Sequence, residues 1–442
     1  MSPPLSIPRR EEAALALGPI LDSVLDGRTK GFPQRSPPLP LGEVGRQGWR
    51  LCAGDLDTPV ALLKASALEG NAAWMREFLR RAQVSLCPHG KTSMAPQIFE
   101  RQLADGAWGV TVATPQQLRV AHACGVRRVL LANELASEGA IDWVQRALDE
   151  DPAFDFTCLV DSREGVRHLE ASARGTRPIP VLLELGLPGG RTGARDEEAA
   201  LSVARAVRAS SRLALRGVEC FEGIIGTPDA SADRAAVETW LGAAGRLARR
   251  CAEADLFEAE EVLLSAGGSA YFDLAARELG AVDLGRPTRV ILRSGCYAFH
   301  DAAHYAGLVA RLEERLPPEW RVSGHPTPAI EVWGRVLSRP EPGLAVLDVG
   351  KRDVGHDIDR PVPVLWARPG EMERPEAVAE GWSVLSLYDQ HTRLRVPAEG
   401  GLRVGDLVGL GVSHPCTTLD RWQLLLVVDD GYRVTEGIRT FF

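Results

Sequence analysis

From residue 84 onward, short apolar runs alternate with longer stretches in which apolar positions recur every three or four residues. The runs predict strands over 84–87, 109–113, 128–132, 156–160, 180–185, 215–221, 261–265 and 289–292. The stretches between them predict helices over 95–104, 115–123, 140–149, 163–172, 197–209, 232–254 and 270–279. Continuously apolar strands alternating with helices describe an α/β protein with a parallel sheet under a coat of helices. Eight such units predict a closed (β/α)8 barrel of the TIM type. An open, doubly wound sheet shares the alternation, but no G-x-G-x-x-G follows the first strand.

The flanks have a different texture. Residues 1–55 read as a proline-rich N-terminal extension with one amphipathic helix over 11–25. A strand over 57–63 and a helix over 67–82 lead into the barrel, which spans 56–300. After residue 300 one last helix is predicted over 308–316. Short runs at 329–336, 344–349, 382–388, 392–396, 407–412, 421–428 and 432–435 then predict a C-terminal all-β domain over 301–442.

Composition narrows the function classes. The chain has 442 residues, 45% hydrophobic and 25% charged, enough for a sizeable core. Its net charge is −8 with both signs interspersed, so no basic stripe suits nucleic acid. No apolar run approaches the roughly 18 residues of a membrane span, and the first residues lack a secretory apolar core. The eight cysteines are scattered without a C-x-x-C pair, as expected of buried thiols in a reduced, cytoplasmic protein.

In a barrel, functional groups gather where the strands end. The first strand delivers Pro88-His89-Gly90-Lys91-Thr92 to a loop. A lone lysine there is most often a solvated strand-end residue; in a dry pocket it is an amine able to attack a carbonyl. The seventh strand ends in Gly267-Gly268-Ser269 and the eighth in Gly295-Cys296, two turns that can cradle a phosphate. Arg191, after the fifth strand, adds a cation for a phenolic oxygen or a carboxylate. A lysine facing a phosphate cradle points to pyridoxal 5'-phosphate. In the β-domain, His414 and Cys416 offer an imidazole and a thiol two residues apart, side by side if the segment is extended, and suited to zinc. Asp389 and His391 offer a further carboxylate and imidazole upstream.

These residues resemble a known family. The run Pro88 to Thr92, the stretch Gly106-Ala107-Trp108-Gly109-Val110-Thr111-Val112-Ala113-Thr114 and His414-x-Cys416 look like the D-serine dehydratase and D-threonine aldolase group. These are pyridoxal-phosphate enzymes of the alanine racemase fold, fold type III. The resemblance covers nearly the whole chain from about residue 55. It implies a barrel plus β-domain and a homodimer with its active site at the interface. It implies Lys91 as the Schiff-base lysine and phosphate on Gly267, Gly268, Ser269, Gly295 and Cys296; the Lys91 amine, or a neighbour such as His89, is then the expected acceptor of the Cα proton. It makes His414 and Cys416 the metal ligands, where the thiolate favours zinc over manganese or magnesium, and moves the strand over 58–64 into the β-domain. The group commonly writes Arg-Pro-His-x-Lys-Thr-His-Lys, whereas Cys87 replaces the Arg here and Ser93-Met94 the His-Lys, as in a bacterial branch of amino-acid deaminases.

The reaction so implied is β-elimination from a D-amino acid with a β-hydroxyl, D-serine-like, to a 2-oxo acid and ammonia. Retro-aldol cleavage of the D-threonine aldolase type uses the same parts. A racemase and a non-enzymatic cofactor-binding protein are the remaining readings.

Overall fold

The structure, a computed structural model, describes residues 14–225, 230–399 and 401–442. Eight parallel strands form one sheet: β1 Ser85–Leu86, β2 Val110–Val112, β3 Arg128–Glu134, β4 Asp155–Val160, β5 Ile179–Leu185, β6 Leu213–Cys220, β7 Val262–Ala266 and β8 Thr288–Leu292. They pair in sequence order from β2 to β8, and β8 pairs with β1. A parallel bridge between His89 and Thr111, with the Thr111 amide donating to the Pro88 carbonyl at 2.9 Å, joins β1 to β2 and closes the cylinder.

Alternation along each strand sorts the core into two layers. Cys87, Leu130, Leu159, Leu182, Leu263 and Ile291 meet inside the barrel. Neighbours such as Val129, Leu131 and Val160 face the helices. Cys87, where the related motif carries arginine, is therefore interior packing, and burial pushes its thiol up to about 12. At the N-terminal end Trp108 lies 4.6 Å under the Arg128 guanidinium, and Asp155 pairs with both Arg128 and Arg216. Opposite the catalytic rim of a barrel, such a seal serves stability.

The helices start where the sequence provides caps. Thr114, Ser162 and Asp196 accept the amides of Gln117, Gly165 and Ala199. Proline opens the helices Pro96–Ala104 and Pro115–Ala123. Helix Ala65–Ala82 packs Phe78, fully buried, against Trp74, Phe272 and Trp320, with ring centroids 5.0 to 6.1 Å apart. Phe78→Ala is expected to cost about 3–5 kcal/mol, read as a lowered midpoint in urea unfolding. A change under about 1 kcal/mol would contradict this packing.

Ten strands make the second sheet, built around Ile330–Glu341. Val60–Lys64 runs antiparallel to it and parallel to Leu424–Val428, so the chain enters the barrel from the β-sheet. The expected helix over 11–25 lies partly outside the described residues. Its described part is a single turn, Gly18–Leu21, followed by a strand Val24–Leu25 paired with Leu39–Pro40. Pro19 lacks the amide that an upstream helix would need to continue. No helix among the described residues is long and apolar enough to cross a membrane.

Candidate active site

Lys91 lies on the short helical turn Gly90–Thr92 directly after β1, half-buried at the C-terminal mouth. The chain holds four lysines, Lys30, Lys64, Lys91 and Lys351. Lys30 is bound to Asp353 at 2.7 Å and covers Trp422; Lys64 pairs with Glu331 at 3.3 Å; Lys351 is exposed on the β-domain. Among the described residues, Lys91 alone has its amine at the barrel mouth, with no hydrogen bond or ion pair of its own.

His89 stands next to it. Burial first, then the charges of Lys91, Arg293 and Arg191, holds its imidazole well below the ordinary range. The ring is neutral, and its Nδ1 is buried without a hydrogen-bond partner. Arg293, at the end of β8, forms a buried ion pair with Glu219 of β6 and donates to Ser265 Oγ at 2.6 Å and the Cys220 carbonyl at 3.0 Å. Burial, and repulsion from Glu184 and Glu222, raise the Glu219 carboxyl despite that arginine. Arg191 reaches over the rim with its guanidinium 4.4 Å from the Phe221 ring centre.

The Gly295 turn meets the Lys91 turn closely, and the Gly267 turn is packed against the end of β8. A Cβ on Gly295 would come within 2.5 Å of Thr92 Oγ1 and 2.6 Å of the His89 carbonyl, so only glycine fits. Gly267 has φ +85° and its Cβ would meet Leu292 at 2.7 Å. The expected cradle differs in one respect. The amides of Gly267 and Gly268 donate to the buried Glu222 carboxylate at 3.0 and 2.6 Å, while Ser294 Oγ binds both glycine carbonyls. Glu222 follows the end of β6, where no phosphate motif drew attention to it. The helix after β7 begins at Phe272, so Ser269 and Ala270 lie in the turn itself. Their amides take no described partner, and the two residues line a largely apolar pocket with Trp74, Phe272, Ser294 and Cys296. An amine, unused amides and close-packed glycines at one rim fit pyridoxal phosphate.

The pair from the β-domain arrives at the same rim by an unexpected route. His414 is extended, but Pro415 starts a helical turn, Pro415–Leu419, so Cys416 does not continue a strand. Cys416 Sγ nonetheless lies 3.6 Å from Thr92 Oγ1 and 3.4 Å from Cys296 Sγ. His414 Nδ1 contacts Asp357 Oδ2 at 2.7 Å, and Asp357 also accepts from Thr417. Burial alone would lower His414, but Cys416 and Asp357 outweigh it and push it up to about 9. The hydrogen bond with Cys296, against burial, and those with His414 and Thr92 hold the Cys416 thiol well below its usual range. A low thiol and an imidazole fixed by a carboxylate are the donors that zinc takes. Asp389 and His391 instead form a hairpin turn, where the Tyr388 amide bonds the His391 carbonyl.

A third group was not singled out from sequence. Glu134, Asp161 and Glu184 close strands β3, β4 and β5, with oxygens within 4.8 Å of one another. Three successive strands ending in carboxylates were the available signal. Burial, then Glu184 and Asp161, pushes Glu134 up to about 9. The folded state therefore keeps a proton that the unfolded chain releases near 4.5, and stability falls as pH rises across that window. Glu134→Gln keeps the shape without the titration. Its Tm is expected to decline less than that of the wild type across the window; equal declines would contradict the assignment.

Comparisons with known proteins agree with this fold. Residues 63–287 match the family described as alanine racemase, N-terminal domain, and residues 329–428 the one described as putative serine dehydratase domain. The chain is 24% identical to a D-threonine aldolase of an Arthrobacter species, over 87% of this chain and 91% of that one. It is 26% identical to the D-threo-3-hydroxyaspartate dehydratase of Delftia sp. HT23, over 68% and 73%. The crystal structure of a D-threonine aldolase from Filomicrobium marinum superposes with a TM-score of 0.73 at 24% identity, covering 89% of this chain and 97% of that one.

Proposed function

The chain belongs to the alanine racemase N-terminal domain family, among the fold type III pyridoxal-phosphate enzymes that include D-serine dehydratases and D-threonine aldolases, and from that premise we propose a zinc-dependent lyase that removes the β-hydroxyl of a D-amino acid to give a 2-oxo acid and ammonia. One contact carries the reading: Cys416 Sγ lies 3.6 Å from Thr92 Oγ1. It joins the metal-type pair of the β-domain, residues 301–442, to the lysine turn of the barrel, residues 56–300, within one chain.

Lys91 would hold the cofactor's aldehyde. Its phosphate would rest on the amides of Ser269 and Ala270 and the Gly295–Cys296 turn, while Gly267 and Gly268, tied to Glu222, give that turn its shape. Arg191 would face the phenolic oxygen or the substrate carboxylate. Pyridoxal phosphate, when bound, supplies a sink for the electrons released at Cα. His89, neutral and with an unused nitrogen, or the Lys91 amine accepts the Cα proton. His414 and Cys416 would hold the zinc, with His414 oriented by Asp357, and a metal there supplies Lewis acidity to a hydroxyl that leaves poorly by itself. One of the similar structures is a cysteine-to-alanine variant of the D-threo-3-hydroxyaspartate dehydratase in its metal-free form, and a metal in that relative is in line with this reading. The thiolate favours zinc over manganese or magnesium, and with it elimination.

The resemblance to the D-serine dehydratase and D-threonine aldolase group supports a homodimer. The cysteines suit a reduced, cytoplasmic setting. With D-serine the purified protein is expected to release ammonia and a 2-oxo acid, to slow with a chelator and to recover with zinc. Glycine and an aldehyde from D-threonine would establish retro-aldol cleavage instead. Inversion of configuration untouched by chelator would establish a racemase.

A further inference from the structure

The rim holds one more sulfur than the His414 and Cys416 pair uses. Cys296, expected from sequence only as part of a phosphate turn, points its thiol at the β-domain, with Sγ 3.4 Å from Cys416 Sγ. It is 5% exposed. Gly295 before it has no room for a side chain against Thr92 and His89, so the turn carrying Cys296 is pressed on the Lys91 turn and fixed there. Sulfurs sharing a tetrahedral zinc at about 2.3 Å each lie about 3.8 Å apart, so the observed spacing needs an adjustment of only a few tenths of an ångström. His414 has Nδ1 engaged by Asp357, which leaves Nε2 for a metal, the carboxylate–histidine–metal order.

We propose that Cys296 is a third protein ligand of the metal, so that the centre is a two-cysteine, one-histidine site with a single position open for substrate. This rests on the metal reading of the function and deepens it. Two thiolates select a soft metal over magnesium or manganese and hold it more tightly than one. They also place the metal against β8 and the Lys91 turn, rather than out on the β-domain.

The test is cobalt exchange of the full-length holoenzyme, followed by near-ultraviolet thiolate-to-cobalt absorbance, with chelator competition on the zinc form. Wild type, Cys296→Ser, Cys296→Ala and Cys416→Ser are compared, each checked for its visible lysine-bound cofactor absorbance as evidence of folding. Each cysteine variant is expected to lose about half the charge-transfer intensity, and Cys296→Ser to release zinc at least about tenfold more readily. Full intensity and unchanged zinc retention in both Cys296 variants would overturn the third ligand, even where Cys416→Ser loses the band. A wild-type protein that takes up neither metal would overturn the metal reading and this proposal with it.

Discussion

Lys91→Ala is expected to abolish the visible absorbance of lysine-bound cofactor and to lower turnover by at least about 1,000-fold. No other lysine can take over. Lys30 and Lys64 are held by Asp353 and Glu331, and Lys351 is exposed on the β-domain. The variant should still fold, because Lys91 makes no hydrogen bond or ion pair among the described residues, so a melting curve close to wild type is expected beside the lost absorbance. Turnover within about tenfold of wild type would mean that the amine does no chemistry. The pair of measurements separates a missing reactive group from a collapsed site.

The second large effect belongs to the β-domain. Cys416→Ala or His414→Ala is expected to strip bound metal and slow elimination on the order of 1,000-fold, since Lewis-acid assistance is worth several kcal/mol. The lysine-bound cofactor absorbance should survive, because neither side chain belongs to the Lys91 turn. Loss of metal without loss of rate would remove the metal from the reaction. Asp357→Asn should fall between these and the wild type, since it loosens His414 without deleting a ligand; a metal content equal to that of the wild type would contradict the orienting role.

The barrel was legible because its strands are buried on both faces. Leu182 points inward and Val181 outward, so both must be apolar, and the run stands out from the amphipathic helices around it. Strand ends were also legible, and with them Lys91 and the glycine turns. The direction of individual backbone amides was not. Gly267 and Gly268 read as an open cradle, yet their amides face Glu222, a carboxylate some 45 positions away in sequence. The H-x-C motif was found for an incomplete reason: Pro415 turns the chain into a helix, and the two side chains meet at the rim without sharing a strand face. Asp357 meets His414, and Glu134, Asp161 and Glu184 meet one another, only in the fold, from separate loops and strand ends. Cys87, which marks a departure from related sequences, belongs to the barrel interior and not to the reacting centre.

The most direct test is to reduce the purified holoenzyme with borohydride, digest it and locate the phosphopyridoxyl group by mass spectrometry. With four lysines in the chain, the result is unambiguous. The modification is expected on the peptide containing Lys91 alone. Its appearance on Lys30, Lys64 or Lys351, or its absence from a protein saturated with pyridoxal phosphate, would contradict the assignment of this rim as the active site.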